Sequence, residues 1–227
     1  MKLSIIIPIY NEINLIQTVL DNVRSINIDK ELILVDDHSQ DGTVDFLKKE
    51  ENKPDTKVFY HSVNMGKGRA IRTGLEHFSG DIVIIQDADL EYDPLEIPKV
   101  IQPIIDGKTK AAYGSRFLGS VKGMRLANYT ANKILAFLVT VLFNNKITDE
   151  ATAYKAFTAD LIRSIPLECR RFEFCPEVTA KVLRRGEKII EVPVHFNART
   201  FEEGKKIGWK DFFVAVYTLL KFRICKF

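Results

Sequence analysis

Four short apolar runs open this chain at almost even intervals. Leu3–Ile7, Glu31–Val35, Lys57–Tyr60 and Asp81–Ile85 begin 28, 26 and 24 residues apart. Runs of this length, rich in β-branched residues, read as strands buried on both faces. Helical patterns lie between them. Leu15, Val19, Leu20 and Val23 share one face. Asp41 is predicted to cap a second helix with Val44 and Leu47 turned inward, and Ala70, Ile71, Gly74, Leu75 and Phe78 form a third. Strand and helix alternating at this period dictate βαβ units: an α/β fold with a Rossmann-like, mainly parallel sheet flanked by helices. Ligands of such sheets bind at the carboxyl ends of the strands.

Here those ends read Pro8-Ile9-Tyr10-Asn11-Glu12, Asp36-Asp37-His38-Ser39, His61-Ser62-Val63-Asn64 and Gln86-Asp87-Ala88-Asp89. All four are polar and three are acidic. Asp87 and Asp89, two apart on an extended chain, point the same way. Like charges held that close repel unless a cation joins them. Two carboxylates with the remaining positions left to water and phosphate oxygens is how Mg²⁺ is usually held. Read alone, the pair also fits an acidic loop capping the next helix. Glu91 continues the same spacing as a third possible ligand. Asp36 and Asp37 are adjacent and face opposite ways, so one of them meets a ligand, and Asp37 is the choice. Asp93 and Pro94 mark a helix start as N-cap and first residue. Asn64-Met65-Gly66-Lys67-Gly68 is neither a Walker A loop, which needs Ser or Thr where Gly68 stands, nor a dinucleotide fingerprint, whose third glycine is replaced by Ile71. Its glycines are read as letting backbone approach a ligand, with Lys67 beside it.

The second half changes character. A strand is expected at Lys110–Tyr113, then a loop carrying Arg116 and Arg125 and an apolar helix over Asn128–Asn144. Helical patterns follow over Phe157–Ile165 and Glu173–Arg185, a strand over Glu187–Phe196, and a terminal helix. The 227 residues are read as one domain in three parts: 1–115, 116–208 and a basic amphipathic helix (209–227). The longest uninterrupted apolar stretches, about ten residues, fall short of the roughly 20 that span a bilayer. No signal peptide is read at the N-terminus. Three cysteines without ligand spacing point to a reducing, cytosolic setting. Net charge is only +3, yet the segment from Arg199 onward holds seven basic and three acidic residues, leaving −1 for the first 198. That tail also carries Trp209, Phe212, Phe213, Tyr217, Phe222 and Phe227, which suits a helix docked on the core, a helix at an anionic membrane surface, or both on different faces. His38, His61, His77 and His195 are scattered and receive no catalytic role.

The strand ends, together with Asp41-Gly42-Thr43, Asn64–Gly68, Gly114-Ser115-Arg116-Phe117 and Arg199 through Gly204-Lys205-Lys206-Ile207, resemble the family 2 glycosyltransferases with the GT-A nucleotide-sugar fold. Within that family the chain looks most like the dolichol-phosphate mannosyltransferase group of polyprenyl-phosphate glycosyltransferases. The resemblance runs in order over nearly the whole chain. It implies that Pro8, Tyr10, Glu12, Asp37, Asn64, Lys67 and Asp87 bind the nucleotide sugar, and that Asp89 is the direct metal ligand, with Asp87 and Glu91 beside it. It implies a lid in which Arg199, Lys205 and Lys206 close on the diphosphate, an acceptor-phosphate site at Arg116 and Arg125, and an acceptor-facing Asp149. Where many relatives have glycine, Ala153 stands here.

Such an enzyme would move a hexose, with inversion, from GDP-mannose or UDP-glucose to a dolichyl or undecaprenyl phosphate, using Mg²⁺ or Mn²⁺. It would sit peripherally on the cytoplasmic face of a membrane, where a separate anchoring partner could hold it; nucleic acid is not a partner. Transfer to a sugar hydroxyl or other soluble acceptor is the alternative, and it needs a general base, for which Asp149 is the candidate. A non-catalytic, membrane-docked regulatory subunit is the third reading, disfavoured by the intact Asp87, Asp89, Arg116 and lid residues.

Overall fold

A computed structural model describes residues 1–199 and 208–225 of the chain. Strands β1 (Leu3–Ile9), β2 (Lys30–Asp36), β3 (Thr56–Tyr60) and β4 (Ile82–Ile85) form in the predicted order, separated by helices α1 (Ile16–Ser25), α2 (Thr43–Glu50) and α3 (Lys67–His77). A 3₁₀ turn (Pro94–Glu96) leads into α4 (Ile97–Ile105), and there the Asp93 side chain accepts from Leu95 N–H at 2.9 Å, as an N-cap should. Then come β5 (Ala111–Lys122), α5 (Leu126–Phe143), β6 (Lys155–Thr158), α6 (Ala159–Arg163), α7 (Phe174–Arg184), β7 (Ile189–Asn197) and α8 (Trp209–Ile224). The seven strands make one sheet in the order β3-β2-β1-β4-β6-β5-β7. All neighbours are parallel except β6, which runs against both β4 and β5.

Period-2 alternation divides the central strands between two cores. Ile6, Ile33, Val35, Val83 and Ile85 face α3, α5, α7 and α8, while Ile5, Ile7, Leu32, Leu34, Ile82 and Ile84 face α1 and α4. With helices on both faces the first four strands are apolar throughout, and every polar residue they carry is pushed to an end. α3 lies so close to β1 that a Cβ on Gly74 would stand 2.5 Å from Ile6 Cγ2.

The second half departs from expectation in places. β5 runs well past Tyr113 and crosses the expected 115/116 division, because β7 pairs beside it on both sides of a bulge between Ser115 and Ser120. Arg116 therefore sits in a strand, not a loop. Phe157 and Thr158 belong to β6 and only Ala159–Arg163 is helical, since the pairing with β4 and β5 claims them. Asp41 does not occupy the N-cap of α2. Gly42, at φ 93°, does, and Asp41 binds Thr43 N–H (3.1 Å) and Ile13 N–H (3.1 Å) from one residue earlier. α5 has 18 residues, longer than its uninterrupted apolar run, and by length and composition it is the one helix among the described residues that could cross a membrane. It packs on the domain through Leu135, Ala136 and Val139. α8 docks beside it on Ala215, Thr218, Leu219 and Phe222. The outward faces of the two helices expose Phe137, Val141, Trp209, Phe213 and Tyr217.

Because Ile6 leaves no room over Gly74, we expect Gly74→Val to destabilise the protein by about 1–3 kcal/mol through overpacking. Urea unfolding of the variant against wild type measures this.

Candidate active site

A cavity of about 280 Å³ opens where β1, β2 and β4 leave the sheet. The chain is forced to turn sharply there. Among the described residues, three of the four non-glycine positions with positive φ lie at these ends: Asn11 (56°), His38 (69°) and Leu90 (57°). Such conformations cost free energy and persist where surrounding contacts hold them. Here Asn11 Oδ1 accepts from Gln40 N–H (2.8 Å), tying the first two strand ends together.

Pro8, Tyr10, Glu12, Asp37, Asn64, Lys67, Asp87, Asp89, Glu91 and Arg199, all expected from sequence, line the cavity. Of its five carboxylates, Glu12, Asp87 and Asp89 pair with two cations. Lys67 Nζ stands 2.6 Å from Asp87 Oδ1. The Arg199 guanidinium reaches both oxygens of Glu12 (2.9 and 3.0 Å) and Asp89 Oδ2 (3.2 Å). Burial, reinforced by Asp87 and Glu91, pushes the Asp89 carboxyl up to about 7, against the pull of Arg199 and Lys67. A carboxylate so short of positive charge suits a divalent cation, and Asp87 with Asp89 offers the hard oxygen donors Mg²⁺ or Mn²⁺ takes. The expected third ligand does not join them. Glu91 Oε1 accepts from Arg199 N–H at 2.7 Å and so anchors the backbone that carries Arg199. No three His, Cys, Asp or Glu side chains among the described residues gather as a ready-made metal cluster.

Asp36 turns inward, 1% exposed, where it accepts from Ser39 N–H; Asp37 turns to the cavity, as the adjacency rule requires. Much of Asp37's accepting capacity is already used. Met65 N–H (2.8 Å), Gly66 N–H (2.7 Å) and His61 Nδ1 (2.7 Å) all reach its carboxylate. His61, given no role from sequence, braces this carboxylate through its other nitrogen on Thr73 Oγ1 (2.9 Å). The glycines of Asn64–Gly68 serve a purpose other than the expected one. A Cβ on Gly66 would lie 2.4 Å from the Arg170 carbonyl oxygen, and one on Gly68 2.6 Å from that of Arg171. They admit the chain's own backbone, and that crossing segment delivers Arg171 and Phe172 to the cavity wall. Its anchor is the buried Glu177, which accepts from Glu168 and Cys169 N–H and pairs with Lys181 at 2.6 Å. Nothing local in residues 166–173 announces this; only the Gly-x-Gly spacing hints that something must approach α3 closely.

The expected acceptor residues are disposed differently. Arg116, 7% exposed, forks onto the fully buried Asp149: Nε to Oδ2 at 2.7 Å, Nη2 to Oδ1 at 2.7 Å, with its own backbone N–H adding a third bond. The bulge in β5 aims it there, and the ring of Phe196 lies 5.0 Å beneath its guanidinium. Glu191 fixes the other side of the loop through Thr148 and Asp149 N–H. Neither Arg116 nor Asp149 lines the cavity, and Asp149 has no exposed surface. Arg125 is exposed at the start of α5, away from the cavity wall. Glu150 is fully buried without a hydrogen-bond partner for its carboxyl, which burial pushes up to about 7. Lys205 and Lys206 lie outside the described residues.

Comparison with known proteins agrees with this geometry. The model of "Glycosyl transferase family 2" matches residues 4–165. The undecaprenyl-phosphate mannosyltransferase of Micrococcus luteus is 29% identical over 92% of this chain and 88% of its own length. The UDP-N-acetylglucosamine–dolichyl-phosphate N-acetylglucosaminyltransferase of Methanococcus voltae is 33% identical over 84% and 83%. Among solved structures, glucosyl-3-phosphoglycerate synthase from Mycobacterium tuberculosis in complex with Mn²⁺, UDP and phosphoglyceric acid superposes with a TM-score of 0.74 at 20% identity. It covers 100% of this chain and 80% of that one, a likeness of fold.

Since Asp149 is the sole carboxylate fork for a buried arginine, Asp149→Asn is expected to cost about 3–5 kcal/mol of stability by stranding that charge. Replacing both members, as Arg116→Met with Asp149→Leu, should recover much of the loss. Thermal or urea denaturation of the three variants checks both expectations.

Proposed function

Because the chain belongs to glycosyl transferase family 2, we propose that it transfers a hexose from a nucleotide diphosphate sugar to a polyprenyl phosphate, with inversion at the sugar. The observation that carries this reading is the gathering of Asp87, Asp89, Lys67 and Arg199 in one cavity at the strand ends. The relatives that act on undecaprenyl or dolichyl phosphate support the acceptor class. GDP-mannose and UDP-glucose both suit the cavity.

The donor's nucleoside would lie along Pro8, Tyr10 and Asn64, with Asp37 held in place by His61 and the 65–66 backbone. Asp87 and Asp89 would hold Mg²⁺ or Mn²⁺, which supplies Lewis-acid stabilisation of the departing diphosphate. Lys67 and Arg199 add positive charge on the same side, fixed before reaction so that little reorganisation is needed. Arg171 and Phe172 close the wall and help exclude water. An acceptor phosphate monoester, with a second pKa of about 6, is mostly dianionic at neutral pH and attacks without a strong base. That agrees with an Asp149 committed to Arg116. Arg116 then serves by fixing the β5 bulge, leaving Arg125 as the acceptor-phosphate ligand of the expected pair.

The apolar outer faces of α5 and α8, with the basic residues around them, suit peripheral docking on an anionic cytoplasmic membrane face, alone or beside an anchoring partner. The lipid acceptor would then be presented from the surface on which the enzyme lies.

Purified protein given labelled GDP-mannose, UDP-glucose or UDP-N-acetylglucosamine, short polyprenyl phosphates and Mg²⁺ should label lipid with one donor. Asp89→Ala should lower the rate by about 100-fold or more, the scale of removing a main electrostatic stabiliser. Label in no pairing would sink the acceptor assignment. In a separate sedimentation assay with anionic vesicles, Phe137→Asp combined with Phe213→Asp should weaken binding by about tenfold or more, as two exposed rings no longer bury.

A further inference from the structure

We propose that Arg199 is a resident counter-ion of the carboxylate site, and that a divalent cation enters only by taking its place on Asp89. The inference rests on the reading of Asp87 and Asp89 as metal ligands, and it adds what holds those ligands before any metal arrives.

Both oxygens of Asp89 are already engaged. Oδ1 accepts from Glu91 N–H at 3.0 Å, and Oδ2 from Arg199 Nη2 at 3.2 Å. The first donor is main chain, set by the turn through Leu90, whose φ of 57° leaves it little freedom. The second is the tip of a long side chain. A divalent cation on Oδ2 would stand against a guanidinium of the same sign in a largely buried pocket, where like charges are weakly screened. The partner able to yield is Arg199.

Its surroundings are built for such an exchange. Arg199 N–H is tied to Glu91 Oε1 (2.7 Å), and the preceding Ala198 N–H to the Lys122 carbonyl (2.9 Å), so the main chain stays at the cavity edge whatever the side chain does. Glu12 receives the guanidinium through both oxygens and offers it a berth off Asp89. Lys67 on Asp87 is a second internal cation, but it is bound to the other carboxylate. Without metal the protein thus neutralises its own ligands. With metal, Asp89 is handed over and a cationic side chain is released beside the diphosphate. Metal binding to the free enzyme is weakened by this competition, and Arg199 is a positioning residue for Asp89.

The test reads metal affinity and not turnover. Mn²⁺ alone is titrated into wild type, Arg199→Gln, Arg171→Gln and Asp89→Asn, following free Mn²⁺ by electron paramagnetic resonance. Arg199→Gln should bind Mn²⁺ about tenfold more tightly than wild type, the equivalent of losing one competing contact. Arg171 lines the same cavity and its guanidinium pairs with no carboxylate among the described residues, so Arg171→Gln should change affinity less than about twofold and controls for a general loss of positive charge. Equal or weaker binding by Arg199→Gln overturns the exchange, as does an equal gain by Arg171→Gln. Undiminished Mn²⁺ binding by Asp89→Asn would instead overturn the metal reading itself. Circular dichroism of each variant confirms that the fold is retained.

Discussion

Glu12, Asp87, Asp89 and Glu91 meet where β1 and β4 leave the sheet, and the arrangement of the whole cavity follows from keeping four carboxylates together. Lys67 meets Asp87, Arg199 meets both Glu12 and Asp89, and Glu91 fastens a backbone N–H, yet burial beside Asp87 and Glu91 still raises the Asp89 carboxyl to about 7. For an acid raised in the folded state, the sign of linkage is fixed. The native protein holds more protons than the unfolded chain between about pH 4 and 7, so this site withdraws stability as pH rises through that window. If Asp87 and Asp89 hold a divalent cation as proposed, its binding would offset the stability lost on ionisation.

That edge exists because the sheet is buried on both faces. β1, β2 and β4 carry uninterrupted apolar side chains, so polar residues accumulate only where the strands end, and parallel pairing sends three of those ends to one side. This much was legible in the sequence, since it depends on local runs and on their spacing. The Asp93 cap was legible for the same reason, as was the choice of Asp37 over Asp36: both follow from geometry within a few residues. Of the ten cavity-lining residues named from motif and resemblance, seven stand at these ends, Asn64 and Lys67 follow β3, and Arg199 follows β7.

What escaped the sequence was set by partners distant along the chain. β5 extends to Lys122 because β7, some 80 residues later, pairs with it across a bulge, and no property of residues 114–122 alone requires this. Phe157 has a helical neighbourhood but is claimed by β6. Gly66 and Gly68 were read as clearing space for a ligand, and they do clear space, but for the backbone of Arg170 and Arg171. A glycine records that something comes close; it does not record what. Likewise an Arg and an Asp 33 positions apart carry no sign that each is the other's partner, so Arg116 and Asp149 looked like two functional groups when the structure makes them one buried pair.

That pair clarifies the division of labour between the two halves. A general base must be reachable by its substrate, and Asp149 is not: it accepts three bonds from Arg116 and has no exposed surface. Chemistry that depended on deprotonating a hydroxyl would have to find another group. A phosphate dianion brings its own nucleophilic oxygen and asks only to be aligned and screened. Under the proposed transfer, an Asp149 committed to Arg116 and two adjoining helices with apolar outer faces would suit an anionic lipid head better than a neutral soluble acceptor. The order of events at the donor side has the same logic. If Arg199 is a counter-ion that a metal displaces from Asp89, as proposed, a lone metal ion must compete with it, and a ligand that gives the guanidinium a new anion to meet would favour metal binding. Specificity for a metal-bound diphosphate would then arise from charge already inside the protein, before any sugar is recognised.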